Sequence, residues 1–309
     1  GVDMSNVIIR LSFIFLITFF SFTICMQNSN AENITWDNYA SALKFAQKVD
    51  IPAASHGDKK PLKGLYFKPD GIGPFPGIVA LHGAGGIFPY QAWWAKKLSE
   101  YGIAVIFVDN YCTRDLLCEY SSGDNDRKRG KVMRQWDVVS IRQRMYDAVA
   151  GYLFLSEQAE IKNDSIGLAG WSWGGTTALF AQKFAGRLKL PNGGFKSTIA
   201  FYPNLVHVQE NRQWKQGGKI SQPTLILYGK SDRIEDESSY IKLLNSGHTG
   251  PIKVLAFDKA VRKFDELGPH RIKKHPRFGS FPKAFHQESF KQSILEVDKF
   301  VRRYILKIQ

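Results

Sequence analysis

The chain has 309 residues, 44% of them hydrophobic, 13% aromatic and 23% charged. That composition excludes a disordered, collagen-like or low-complexity protein and is ample for one large core. The formal net charge of +14 suits an anionic partner, but no nucleic-acid-binding motif accompanies it, so no nucleic-acid partner is expected.

The amino end carries Leu11 to Met26, LSFIFLITFFSFTICM, without a single charge. Polar residues follow, and Ser29-Asn30-Ala31 has the small-x-small form of a cleavage site. Residues 1–31 therefore read as a secretory signal peptide, with Met4 a candidate start. An uncleaved anchor and a lipoprotein modified at Cys25 are the competing readings. Export to a periplasmic or extracellular space is predicted, with no stable membrane span after cleavage. Removing the segment takes out Asp3 and Arg10, so the charge stays at +14. From Pro251 onward there are 14 Lys and Arg against 6 Asp and Glu. That is a basic surface, able to meet solvent or an anionic lipid, polysaccharide or substrate. Cys112 and Cys118 are the cysteines left, either a disulfide in an oxidising compartment or two free thiols.

Residues 32–309 read as one domain. Tyr39, Leu43 and Ala46 recur at helical spacing, which predicts a helix within 32–50. PLKGLYFKPD alternates as an early strand, and GIVALHG and IAVIFVDN are apolar runs of buried strands around the helix QAWWAKKLSEYG. Residues 111–133 read as a polar surface insertion. A long amphipathic helix is predicted from Val132, with Val138, Ile141, Met145, Ala148 and Tyr152 on one face. DSIGLAGWS is a strand followed by a helix, and STIAFYP, PTLILYG and IKVLAFD are three more strands. A helix is expected over Glu235 to Ser246. Residues 259–284 read as a long loop or lid, before a closing amphipathic helix. Apolar strands alternating with helices predict an α/β fold with a doubly wound, mostly parallel sheet and helices on both faces. In such sheets the site lies at the carboxyl ends of the strands.

Gly170-Trp171-Ser172-Trp173-Gly174 is a G-x-S-x-G pattern between a strand and a helix, the arrangement of a nucleophile elbow. The flanking glycines suit a turn too tight for side chains, and Ser172 is the candidate nucleophile. LHGAGG, after the first core strand, resembles an oxyanion loop; the N–H groups of Ala84 or Gly83 and of Trp173 are the candidate donors. The same loop is not a dinucleotide fingerprint, since Phe88 stands where the third glycine belongs. His82 reads as structural. Asp232, just past PTLILYG, is the candidate acid, with Glu235 and Asp236 as alternatives. Trp93, Trp94, Tyr111 and Trp173 are candidates for an apolar pocket wall or for core. No metal cluster at ligand spacing appears, and no cofactor is implied.

The stretches LHGAGG, FVDNYCTRD, DSIGLAGWSWGG, YGKSDRIED and VLAFDKAVRKFDE together resemble the dienelactone hydrolase family, in family order, across most of residues 60–268. The resemblance implies an α/β-hydrolase fold and hydrolysis of small esters or lactones through an acyl-enzyme on Ser172. It also exposes a departure. The family places its catalytic histidine in the segment onto which FDKAVRKFD aligns, and Arg262 stands in the histidine position. Arginine keeps its proton and cannot act as a general base. The remaining choices in chain order are His270, taken as the base here, and His275 and His286; His248 precedes the last strand and belongs to the wrong end of the sheet. Arg262 itself is read as a contact for a substrate carboxylate or as the ion-pair partner of Asp232. A catalytically silent hydrolase fold that binds a ligand in the envelope, and acyl transfer to an acceptor other than water, are the rival functions. The oligomeric state is not legible.

Overall fold

The strands from Phe75 to Phe257 are short and mostly apolar on both sides, and such strands are stable only when helices cover both faces of their sheet. A computed structural model describes residues 34–54, 60–118, 120, 138–206, 214–215, 218–234, 237–275 and 279–308. The signal segment, residues 121–133 of the expected insertion, and Glu235 and Asp236 lie outside them. The unit Ile34–Gln309 holds every residue of the main core, from Tyr39 to Ile305.

Helix α1, Trp36–Phe45, opens on a capping box in which Thr35 and Asn38 satisfy each other's backbone N–H groups. The helix expected to continue past it instead gives way to β1, Gln47–Ile51, antiparallel to β2, Leu62–Phe67. Of β1 only Ile51 is buried, so this edge strand lacks the apolar alternation by which a strand is recognised. Strand β3, Phe75–Leu81, helix α2, Pro89–Glu100, and strand β4, Ala104–Asp109, follow as expected. Next, α3 spans Ile141–Ser156, starting later than its apolar pattern implies: Ser140 and Gln143 form a capping box there, and Val138 is exposed outside the helix. Strand β5, Ile161–Trp171, runs into α4, Trp173–Lys183.

The sheet is completed by β6, Thr198–Phe201, β7, Thr224–Gly229, and β8, Ile252–Phe257, with α5, Glu237–Leu244, between the last two. The eight strands lie in the order β1-β2-β4-β3-β5-β6-β7-β8. Pairing is antiparallel through β2 and β4 and parallel from there to β8. Helices α3 and α4 pack side by side. Helix α2 meets the last helix, α6, Gln287–Val301, through Trp94 and Phe290, whose rings are 5.9 Å apart.

The segment expected as a loop over 259–284 contains a hairpin of β9, Arg271–His275, and β10, Gly279–Lys283. Its strands are charged and lack an apolar run, which hides them from a pattern search. Among the described residues no helix is long and apolar enough to cross a membrane.

Candidate active site

Ser172 sits between β5 and α4 with φ 54° and ψ −118°, a strained conformation for a residue with a Cβ. Its amide donates to the Phe201 carbonyl at 2.8 Å, and its carbonyl accepts from Thr176 at 3.0 Å, so both sides of the elbow are tied down. Gly170 and Gly174 are required by close approach. A Cβ on Gly170 would lie 2.3 Å from the Gly174 carbonyl oxygen, and one on Gly174 would lie 2.0 Å from that of Leu81.

The loop after β3 is buttressed from beneath. His82 is fully buried; it accepts from the Asn110 amide at Nε2, which leaves Nδ1 to donate to the Gly83 carbonyl at 2.6 Å. The guanidinium of the buried Arg144 donates to the His82 carbonyl, and the Tyr111 hydroxyl donates to the Ala84 carbonyl at 3.1 Å. The structural reading of His82 is thus the one its contacts support. Gly83, Ala84 and Gly85 line a small cavity, about 60 Å³ of water-accessible space, together with Ser172 and Trp173. Trp173 is the first residue of α4, where amides point out of the helix end and the helix field is positive.

Asp232 and Arg262 meet at this cavity. Arg262 donates from Nη1 to Asp232 Oδ2 at 2.7 Å and from Nη2 to Ser172 Oγ at 2.8 Å. Asp232 Oδ1 accepts from the Ile234 amide at 3.0 Å. The acid and guanidinium are almost fully buried, 4% exposed each. Their spacing is set by the main chain. Gly229 lies so close to Ala260 that a Cβ would be 2.3 Å from its carbonyl, and Ser231 donates to that same carbonyl at 3.0 Å. Of the two readings of Arg262, the ion pair with Asp232 is the contact present.

The expected base does not join this group. His270 is exposed ahead of β9 and is not among the residues lining the Ser172 cavity. His286 caps α6, its Nδ1 accepting from the Ser289 amide at 3.3 Å. His275 ends β9. His248 Nδ1 accepts from the Ile220 amide at 3.0 Å, and burial, with Lys183 and Lys219 nearby, pushes it down to about 4. The position between Asp232 and Ser172 is filled by arginine.

Three of the four expected wall aromatics are elsewhere. Trp94 and Tyr111 are core, and Trp93 packs on Phe290; of the four only Trp173 lines the cavity. Phe88, Tyr90, Ile234, Asn204, Lys263 and Phe281 line it instead. Phe281 comes from β10, so the hairpin roofs the site, consistent with a covering role for 259–284. Lys263 follows Arg262 with φ 62°. It donates to Glu266 at 2.7 Å, and its ammonium stands 4.2 Å from the Phe88 ring centre. Burial pushes Lys263 down to about 8. Burial also works to raise Glu266, but Lys263 and Lys283 outweigh it and hold the carboxyl at about 2.

Behind the site, Asp265 is completely buried. One oxygen accepts from the indoles of Trp94 and Trp171 at 3.1 and 3.2 Å, the other from the Tyr202 hydroxyl at 2.8 Å. Burial pushes it up to about 7. Trp171 immediately precedes the nucleophile, so this carboxyl joins the elbow to the turn carrying Arg262. Among the described residues no group of three or more His, Cys, Asp or Glu could hold a metal ion.

The architecture is that of solved α/β-hydrolases. A dienelactone hydrolase from Anabaena variabilis superposes with a TM-score of 0.56 at 16% identity, covering 84% of this chain and 99% of its own. A dienelactone hydrolase-like promiscuous phosphotriesterase from metagenomic libraries gives 0.60 at 17% identity, over 84% and 98%. An acylaminoacyl peptidase from Pyrococcus horikoshii gives 0.55 at 14% identity, over 84% of this chain and 41% of that one. No curated protein matches the sequence. The model of the dienelactone hydrolase family matches residues 62–260, well over half of the chain and the whole run from β2 through the elbow to the turn after β8. With the loop after β3, the elbow and Asp232 following one another inside that match, the chain belongs to the dienelactone hydrolase family.

Proposed function

We propose that the protein hydrolyses small carboxylic esters or lactones with Ser172 as the nucleophile. The observation that carries this reading is the strained Ser172 at the mouth of α4, facing the cavity that Gly83, Ala84 and Trp173 also line. Ser172 Oγ attacks the carbonyl carbon, and the carbonyl electrons move onto oxygen. The amides of Ala84 or Gly83 and of Trp173 receive that oxyanion; such donors are worth about 3–4 kcal/mol each. Collapse expels the alcohol oxygen as an alkoxide, which takes a proton from solvent; water then attacks the acyl carbon, loses a proton to solvent, and releases the acid and Ser172 Oγ.

Arg262 gives the first step an unusual form. A guanidinium cannot take the Ser172 proton. It can stabilise the alkoxide, since a hydrogen bond to a charged group is worth about 1.5–3 kcal/mol. The proton then leaves to solvent in the cavity, and the rate should rise with pH with no inflection in the imidazole range. This is weaker than a positioned base, which supplies roughly 10²–10⁴-fold, so a slow enzyme is expected. A substrate carboxylate would compete with Asp232 and Ser172 for Arg262, with Lys263 as a second cation in the wall. Export is part of the proposal: the Cys112–Cys118 disulfide suits an oxidising compartment.

The test is labelling of the protein with a fluorophosphonate, beside Ser172→Ala. A covalent adduct in the wild type, absent in the variant, supports an activated nucleophile. No adduct on folded protein overturns it and leaves ligand binding by a silent fold as the better account. Product analysis with an added alcohol separates hydrolysis from acyl transfer.

A further inference from the structure

Part of the hairpin over Ser172 faces solvent: Arg271, Ile272 and Lys274 are exposed, while Phe281 and Pro282 are buried. From His270 to Lys283 the sequence has five Lys and Arg and no Asp or Glu. In the register of the hairpin, Lys273 is opposite Phe281 and Ile272 is opposite Pro282. Alternation therefore puts Ile272 and Lys274 on the face away from Phe281. Ile272 is 57% exposed and shares its face with the exposed Lys274, while the exposed Arg271 stands at the start of the strand on the opposite face. Trp36, at the start of α1, is 51% exposed and lines a small cavity with Pro269 and Arg271. Lys283 is not part of this surface, because it pairs with Glu266 at 2.8 Å.

We propose that Trp36, Arg271, Ile272 and Lys274 form a docking surface for an anionic lipid bilayer. The cations match the surface charge of such a bilayer, each strengthening binding by about fivefold. Charge alone would also suit a soluble polyanion. The two apolar side chains decide between them: an exposed isoleucine amid cations gains nothing from a polysaccharide but can enter the headgroup region, and tryptophan prefers that interface. The same hairpin supplies Phe281 to the Ser172 cavity, so docking would bring that cavity close to the membrane. The inference does not depend on the catalytic proposal, because its readout is binding.

The experiment is co-sedimentation of residues 34–309, which hold the whole core, with vesicles of pure phosphatidylcholine and of phosphatidylcholine with about one third phosphatidylglycerol. Binding to the anionic vesicles alone, lost at high salt, is the expected result. Arg271→Gln with Lys274→Gln should weaken it about 25-fold, and the matched pair Lys48→Gln with Lys162→Gln, outside the hairpin, less than about twofold. Ile272→Ser should weaken vesicle binding about fivefold while leaving retention on dextran sulfate unchanged. The proposal falls if the anionic vesicles are not bound, if both lysine and arginine pairs lose binding equally, or if Ile272→Ser binds vesicles like the wild type; that last result would mark a polyanion surface.

Discussion

Arg262 holds Ser172 Oγ at 2.8 Å with one nitrogen and Asp232 at 2.7 Å with the other. It thereby spans the gap in which a proton-accepting side chain would stand. The contact keeps the connectivity of Ser172 to an acid while putting, in the middle position, a group that cannot accept a proton.

Arg262→His should create that missing member. Fluorophosphonate labelling and ester turnover are expected to rise at least about tenfold and to acquire a new inflection between pH 6 and 7. Arg262→Ala should do the opposite. It leaves a buried Asp232 without its cation, which costs about 3–5 kcal/mol of stability, readable as a fall in Tm. Unchanged pH dependence in Arg262→His would show that the imidazole does not reach Ser172.

Asp265 predicts a slope of stability with pH. Burial raises its carboxyl to about 7 in the folded protein, above the ordinary carboxylate value of 3.8. Between those values the folded state binds a proton that the unfolded state does not, so stability falls as pH rises towards 7 and levels off above it. Asp265→Asn, neutral throughout, should gain on the wild type across that window. Parallel melting curves from pH 4 to 8 would contradict the assignment.

Lys263 has the reverse sign at high pH. Burial lowers its ammonium to about 8 on folding, from an ordinary lysine value of 10.5. The unfolded state binds more protons between those values, so this residue adds stability as pH rises through them. In Lys263→Met that rise should disappear. Chemical denaturation at pH 8 and pH 10 measures it.

Gly174→Ala should displace the elbow, since its Cβ would fall 2.0 Å from the Leu81 carbonyl oxygen. A loss of about 3 kcal/mol and of Ser172 labelling is expected. Ser172→Ala keeps the backbone strain but takes the acceptor from Arg262 Nη2, so a loss of about 1–3 kcal/mol is expected, while labelling vanishes.

Much of this arrangement was legible in the sequence, and the reasons for the rest are physical. Buried parallel strands have no polar face, so β3, β4, β6, β7 and the second half of β5 stand out as apolar runs; β1 and the hairpin have solvent on one or both sides and do not. Gly170 and Gly174 announce a turn that only small residues fit. Arg262 was placed by alignment to the family segment, but its reach to both Asp232 and Ser172 depends on the contact between Gly229 and Ala260, which joins residues about thirty positions apart. His270 stands in the sequence as the first histidine after the last parallel strand, where this fold calls for a base. Exposure removes it from the site, and exposure of a single loop residue has no pattern in the sequence. The cavity wall escaped for a related reason. Phe281 and Tyr90 look like any core aromatics, and only the folding back of the hairpin brings Phe281 over Ser172.

The pairing of Trp94 and Trp171 on one Asp265 oxygen has an optical consequence. Two indoles share a single acceptor whose charge changes with one proton, and one of them is covalently adjacent to Ser172. Their emission should therefore respond together to ionisation of Asp265 and to any shift of the elbow. The native protein carries its own reporter of events at the nucleophile, with no label attached.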